Sequence, residues 1–544
     1  MKKMFTLISV ISIMGSGIGA GHSAQQWANT YGGINEDYPH CIQQTTDGGY
    51  IVGGQTKSSG AGGSDIWLLK LDSGGSFSWT KAYGGSYDDL ACSIQQTTDG
   101  GYIVGGQTKS FSAGGYDIWI VKLNGSGDVS WQKSCGGSYD DNIHAIRQTS
   151  DGGYIVAGDT KSFGIGSYDI WILKLDSNGG IDWQNTYGGS AFPQSNSDES
   201  RFLHQTSDGG YIIAGHTASF DIGSYDIFLL KLDGNGDVSW TKTYGGSNED
   251  YARSIQQTSD GGYIVVSDTR SFGAGSFNIW VLKLDGNGEV SWQKTYGGSS
   301  EDYARSIQQT ADGGYIVAGD TESFGAGSSD IWVLKLDGNG EVSWQKTYGG
   351  GYSDSASYIQ QISDGGYIVV GHTTSFGAGD KDFFVLKLNS NGGIPDCEII
   401  ATSNASVSDT SVESQERSAT VQSTLAITDT TDVSPQDVPI QKNTVCKGAV
   451  VNTTTTTIRD TDTTTTTKTN CSAEKIYGNR SKEIELLRHF RDDVLSKTPE
   501  GREIIRLYYE WSPAIVKAMK EDEEFKKEVM AIINEILPLI GEEL

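Results

Sequence analysis

Apolar and polar positions alternate in short runs through most of this chain, and residues 306–348 show the unit clearly. Four runs stand there: Ser306-Ile-Gln-Gln-Thr, Tyr315-Ile-Val-Ala-Gly-Asp-Thr, Asp330-Ile-Trp-Val-Leu-Lys-Leu, and Glu341-Val-Ser-Trp-Gln-Lys-Thr-Tyr348. They are rich in β-branched and aromatic residues and are bounded by Gly, Asp and Asn, which predicts four strands. Asp-Gly-Gly and Asp-Gly-Asn-Gly between them supply the positive φ angles that tight hairpins need. The third run is apolar on both sides, with Ile331 and Val333 on one face and Trp332, Leu334 and Leu336 on the other. Such a strand has to be covered on both faces.

The unit recurs. Asp47, Asp99, Asp151, Asp208, Asp260, Asp312 and Asp364 each open a copy of Asp-Gly-Gly-Tyr-Ile, at spacings of 52, 52, 57, 52, 52 and 52 residues. A period near fifty residues marks a solenoid, propeller or array. Sheets that are apolar on both faces and packed around an axis make a β-propeller. The seventh copy stops after Leu388, without a fourth-strand Trp, while an orphan Trp27-Ala-Asn-Thr-Tyr31 stands at the front. That N-terminal strand should complete the last blade and close the ring, removing exposed edges. Trp27, Trp79, Trp131, Trp183, Trp240, Trp292 and Trp344 recur in the fourth run, and Trp67, Trp119, Trp171, Trp280 and Trp332 in the third. All twelve are expected in the core, where each buried Trp removes on the order of 200 Å² from water.

Charge narrows the partners. The formal net charge of the 544 residues is -28, which argues against nucleic acid and against docking on anionic lipid. Met1 to Ala24 reads as a secretory signal: Lys2 and Lys3, a short apolar core, then small residues. No later run is apolar enough for a transmembrane helix. The chain is thus expected to be secreted or at the cell surface, its propeller monomeric. Six cysteines are too few for a disulfide scaffold and leave 15 pairings open.

The glycine pair and downstream Trp make each unit resemble a kelch-type blade. The seven copies more closely resemble the Asp-Gly-Gly-Tyr repeats of secreted bacterial and archaeal propeller proteins, some of which carry the name endoglucanase. The resemblance implies an all-β, seven-bladed propeller of four-stranded antiparallel blades over residues 25–397. From Ala401 to Asn470, Ser and Thr make up 28 of 70 residues, which predicts a disordered linker over 398–470. Helical spacing returns after Cys471, predicting a small all-α domain over 471–544. Its Leu486-Leu-Arg-His-Phe-Arg-Asp-Asp-Val-Leu, Thr498-Pro-Glu-Gly-Arg502 and Tyr508-Tyr-Glu-Trp-Ser-Pro513 resemble the CFI-box C-terminal domain, keeping Cys471 and Tyr477-Gly478 but not the Phe-Ile. That resemblance implies a sorting, anchoring or assembly task.

Links between blades and between second and third strands are the longer loops, and in a propeller they share one face. Any site is expected there. Asp37, Asp89, Asp141, Asp250, Asp302 and Asp354 recur in the inter-blade links. They read either as a carboxylate ring for Ca²⁺, whose ligands are hard oxygens, or as caps on their own blades. His40, Cys92 and His144 share one position in three adjacent copies, a weak pointer to zinc or copper. The fourth copy carries five extra residues, within Ser190 to Ser200. Phe192, Asp198 and Glu199 there, joined by His216 and His372, are the candidate contacts to a sugar or peptide. Paired catalytic carboxylates need two unlike environments, which near-identical copies do not offer. The expected function is therefore non-catalytic recognition of an extracellular protein or polysaccharide. A carbohydrate-active enzyme and a structural envelope element are the alternatives.

Overall fold

The computed structural model describes residues 25–395 apart from 165–166, 189–197 and 219–224, and, with interruptions, residues 397–447. The expected signal segment, Phe192 and the expected helical domain lie outside the described residues.

Seven antiparallel sheets follow one another, each opening on the expected strand order. In the first blade the strands are Asp37–Gln44, Tyr50–Thr56, Asp65–Leu71 and Phe77–Tyr83. The first strands of neighbouring blades touch all the way round, and the seventh touches the first, so the ring is closed. No cis peptide occurs among the described residues. The closing device is the expected one: Trp27–Gly32 pairs with Asp382–Leu388 as the fourth strand of blade seven. All seven third strands are buried at every position. Their faces part as the alternation demands. Ile331 and Val333 pack toward blade seven, while Trp332, Leu334 and Leu336 pack toward blade five.

The repeated Asp-Gly-Gly-Tyr stretch serves the hairpin and the joint to the next sheet together. Asp99 accepts bonds from Thr97 Oγ1 at 2.5 Å and Gly101 N at 2.9 Å, and pairs with Lys122 Nζ at 2.8 Å. Burial pushes the Asp99 carboxyl up, but Lys122, Thr97 and Gly101 outweigh it and hold it at about 2. The same Lys–Asp pair recurs in all seven blades. Tyr102 meets Trp79 of the preceding blade edge-on, with centroids 5.9 Å apart. The Gln-Gln that precedes the hairpin stitches neighbours: Gln361 N donates to Gln308 Oε1 at 2.6 Å, and Ala311 N to Gln361 Oε1 at 2.8 Å.

Two expectations need correction. The twelve tryptophans do not share one environment. Those of the third strand, and Trp27, are almost fully buried, whereas Trp79, Trp131, Trp183, Trp240, Trp292 and Trp344 are half-buried. In blades one to six a fifth strand pairs only with residues beyond the Trp, so one side of each ring has a hairpin turn of the next blade against it, whereas Lys447 lies opposite Trp27. Gly127, at φ 78°, leaves the room that Trp79 occupies there.

The second concerns the disordered linker expected over 398–470, whose residues beyond 447 lie outside those described. Seven short strands between Ile400 and Lys447 add a fifth member to every sheet. Ile400–Thr402 pairs with blade six, Ser406–Asp409 with blade five and Gln415–Glu416 with blade four. Thr420–Ser423, Ile427–Thr430 and Gln436–Asp437 continue on blades three, two and one. Gln441–Lys447 ends the circuit on the closing strand Trp27–Gly32. The belt therefore runs against the order of the blades. Trp332 Nε1 donates to Ser403 Oγ at 2.9 Å and Trp280 Nε1 to Thr410 Oγ1 at 3.1 Å, so belt hydroxyls satisfy buried indoles. Cys397, at the start of the belt, is disulfide-bonded, whereas Cys41, Cys92 and Cys135 are free thiols.

Candidate functional site

The long-loop face begins from the inter-blade turn Tyr-Gly-Gly. Asp89 shows what the repeated carboxylate does: its Oδ2 accepts from Gly85 N at 2.8 Å and Ser110 Oγ at 2.7 Å. Asp37, Asp141, Asp250, Asp302 and Asp354 accept equivalent bonds within their own blades, and all are buried. Asp198 is the member from blade four, bonded by the Thr217 hydroxyl. These residues clamp the turn to the second-strand end. Among the described residues no three His, Cys, Asp or Glu side chains converge as a metal site, either here or at His40, Cys92 and His144.

Around the axial opening the copies differ, and here the sequence candidates come together. Glu199, next to Asp198, points to the other side of its strand. Its carboxylate lies 2.8 Å from Arg201 Nη2 and 3.4 Å from His216 Nε2. The hydrogen bond from His216 and the nearby Arg201 charge hold Glu199 at about 2, so it is ionised at neutral pH. Burial pushes the His216 imidazole down, which favours the neutral ring donating from Nε2. His372 stands apart, on blade seven, and packs edge-on against Tyr38 at 5.2 Å. Burial pushes it to about 4. Lys381 Nζ lies 4.6 Å above the Tyr38 ring and donates to its hydroxyl at 2.6 Å.

Blades three, five and six place a basic side chain beside a carboxylate at the same level, where blades one and two carry Gln55 and Gln107. His144 Nε2 lies 2.5 Å from Asp159, Arg253 Nε 2.6 Å from Asp268, and Arg305 Nη2 2.6 Å from Asp320. Asp268 and Asp320 are thus each matched by an arginine.

Sequence reasoning missed the aromatic groups of this face. Ile34, Tyr87, Tyr139 and Tyr352 are the exposed large hydrophobic residues among those described, at 80%, 62%, 63% and 68% exposure. All four lie in inter-blade turns of the long-loop face, on blades one, two, three and seven. Nearer the axis, Tyr225, Tyr251, Phe277 and Tyr303 form a chain of half-buried rings with successive centroids 5.4, 6.3 and 5.2 Å apart. Part of their signal was available: Tyr87, Tyr139 and Tyr352 stand where blades five and six carry Asn248 and Ser300, whereas Tyr116 and Tyr168 repeat Tyr225 and Tyr38 repeats Tyr251.

No protein-family model matches the chain, and no curated protein matches it. Among solved structures it is similar to the extracellular domain of a hybrid two component system from B. thetaiotaomicron. That match has 15% identity and a TM-score of 0.34, over 65% of this chain and 40% of the other. A puromycin hydrolase aligns at 13% identity and a TM-score of 0.40, over 65% of this chain and 52% of its own. An α-L-arabinofuranosidase from Fusarium graminearum aligns at 11% and 0.37, over 55% of this chain and 92% of its own. The chain thus spans about half or less of the first two. Likeness at this level carries nothing about activity or ligand.

Proposed function

We propose that this protein is a non-catalytic recognition module of the cell exterior, which holds a glycan or protein partner against the long-loop face of its propeller. One observation carries the reading. Every exposed large hydrophobic side chain among the described residues lies in the inter-blade turns of that one face. Exposed aromatic groups gathered on one surface mark a binding site, whereas isolated ones do not. The secretory signal and the resemblance of the C-terminal segment to a sorting or anchoring domain support an exterior, surface-held location. The strong negative charge supports a partner that is neither nucleic acid nor anionic lipid.

The test is a combined glycan and protein array probed with the mature chain and with the triple variant Tyr87→Ala, Tyr139→Ala, Tyr352→Ala. Retention without turnover by the parent, weakened at least tenfold in the triple variant, is the expected result. Equal retention by both proteins, or turnover of a retained glycan, sinks the reading.

A further inference from the structure

The seven copies act as internal controls for one another. A residue that the fold requires stands in all of them, as the Asp-Gly-Gly-Tyr hairpin, its lysine and the inter-blade carboxylate do. A residue confined to adjacent copies is not required for closing the ring. Tyr116 and Tyr168 share the place of Tyr225, and Tyr38 that of Tyr251, but rings stand at both places of one junction only between blades four and five and between five and six, as Tyr225 with Tyr251 and Phe277 with Tyr303. At the same two places the junction of blades six and seven carries Ser329 and Ser355, and that of blades one and two carries Ser64 and Leu90. Those junctions close equally well: Asp354 N donates to Ser329 O at 2.8 Å and Asp89 N to Ser64 O at 2.6 Å. Packing between blades therefore does not account for the rings.

Three guanidinium groups accompany the rings. Arg253 lies 5.7 Å from the Tyr251 centroid, Arg270 4.6 Å from Phe277 and Arg305 5.8 Å from Tyr303. Each is already matched: Arg253 to Asp268, Arg270 to Glu249 at 2.8 Å, and Arg305 to Asp320. Glu199 and Arg201 continue the pattern at the blade-four end, beside His216, whose ring stands edge-on to both Tyr225 and Tyr251. An anionic ligand would need uncommitted positive charge, and these arginines offer none. Half-exposed rings interleaved with fixed donors and acceptors, among them Glu301, which accepts from the Tyr303 hydroxyl, instead fit a flat, uncharged molecule rich in hydroxyls, which stacks on the rings and bonds to the charged groups at its edges.

We propose that blades four to six form a subsite for a neutral oligosaccharide at the axial opening, with Tyr251 and Tyr303 as stacking platforms and the Arg253–Asp268 and Arg305–Asp320 pairs bonding sugar hydroxyls. The subsite rests on the reading of the long-loop face as the binding face, and it places the sugar-specific contact on the half opposite the exposed tyrosines.

The sibling blades supply substitutions that this architecture already tolerates: Tyr251→Leu, as at Leu90, and Tyr303→Ser, as at Ser355. The full mature chain and each variant are titrated calorimetrically with cellohexaose, mannohexaose and xylohexaose, and with a polygalacturonate hexamer as the charged comparison. Thermal melts of the variants confirm folding. At least one neutral hexasaccharide should bind, with tenfold or greater loss in each variant. If no neutral hexasaccharide binds, or if the polygalacturonate hexamer binds more tightly than all three, the subsite is overturned. Unchanged neutral-sugar affinity in both variants, with loss in the Tyr87, Tyr139, Tyr352 triple variant, overturns the subsite while leaving the face reading intact. Unchanged affinity in all of these variants overturns both.

Discussion

Gly84 sits where two carboxylates approach, Asp65 of its own blade and Asp89 of the next. A side chain there would collide with Asp65 Oδ1, whereas a side chain on Gly351 would meet nothing within 4 Å. Gly84→Ala should therefore destabilise by roughly 1–3 kcal/mol through overpacking, and Gly351→Ala by well under about 1 kcal/mol; chemical denaturation of the two variants checks this. The same pair of carboxylates gives a pH signature. Burial, followed by the charge of Asp89, raises the Asp65 carboxyl to about 6 despite the Ala61 N–H, which lowers it. A folded-state value above the unfolded value of about 4 contributes stability that is fully present below pH 4 and lost as pH rises through about 6. Blade five already carries the neutral counterpart, Asn278 opposite Asp302. Asp65→Asn should thus add on the order of 1 kcal/mol at pH 7.5 and less at pH 5. A melting temperature that shifts equally at both values would contradict this.

At the scale of the strand, the belt shows how composition misleads. Runs of Ser and Thr lack the apolar surface to form a core, so read alone they predict disorder. Threonine is nonetheless well suited to a strand once an edge is offered, and each blade offers its outer strand. Ala28, Thr30 and Tyr31 of the closing strand lie between Asp382–Leu388 on one side and Gln441–Lys447 on the other, so the belt also braces the joint of the ring. A chain ended after Glu398 should melt at a lower temperature and aggregate faster than one ended after Asn452, because seven strand edges open. Scanning fluorimetry with light scattering compares them, and coincident curves would show the belt to be idle.

For the whole molecule, stability depends on closure. Each of the seven apolar clusters, as typified by the one joining blades five and six, draws residues from two adjacent blades, so no blade can bury its third strand alone. Trp27 and Tyr31 are buried, and Tyr31 Oη donates to Gly75 O of blade one at 2.6 Å, which joins the two ends of the ring. Removing residues 25–32 should cost at least about 5 kcal/mol, the scale of losing a buried Trp together with its neighbours, and should broaden unfolding into non-coincident phases. Calorimetry alongside tryptophan fluorescence measures both effects. A single transition of unchanged midpoint would show that the ring does not depend on its latch.

The sequence by itself determined the number of blades, the strands of each, the turns between them and the strand that closes the ring. These follow from a period of two along a strand and a period near fifty along the chain, both of which are local or repeated. The hairpin register of blade four sets Glu199 opposite His216 within one copy, whereas only the tertiary structure decided which tryptophan of each pair is enclosed and where the Thr-rich segment runs. The common physical reason is that these outcomes depend on neighbours supplied by another blade. An outer edge or an adjacent hairpin glycine exists only once the ring has closed, so no spacing within one copy could have revealed it.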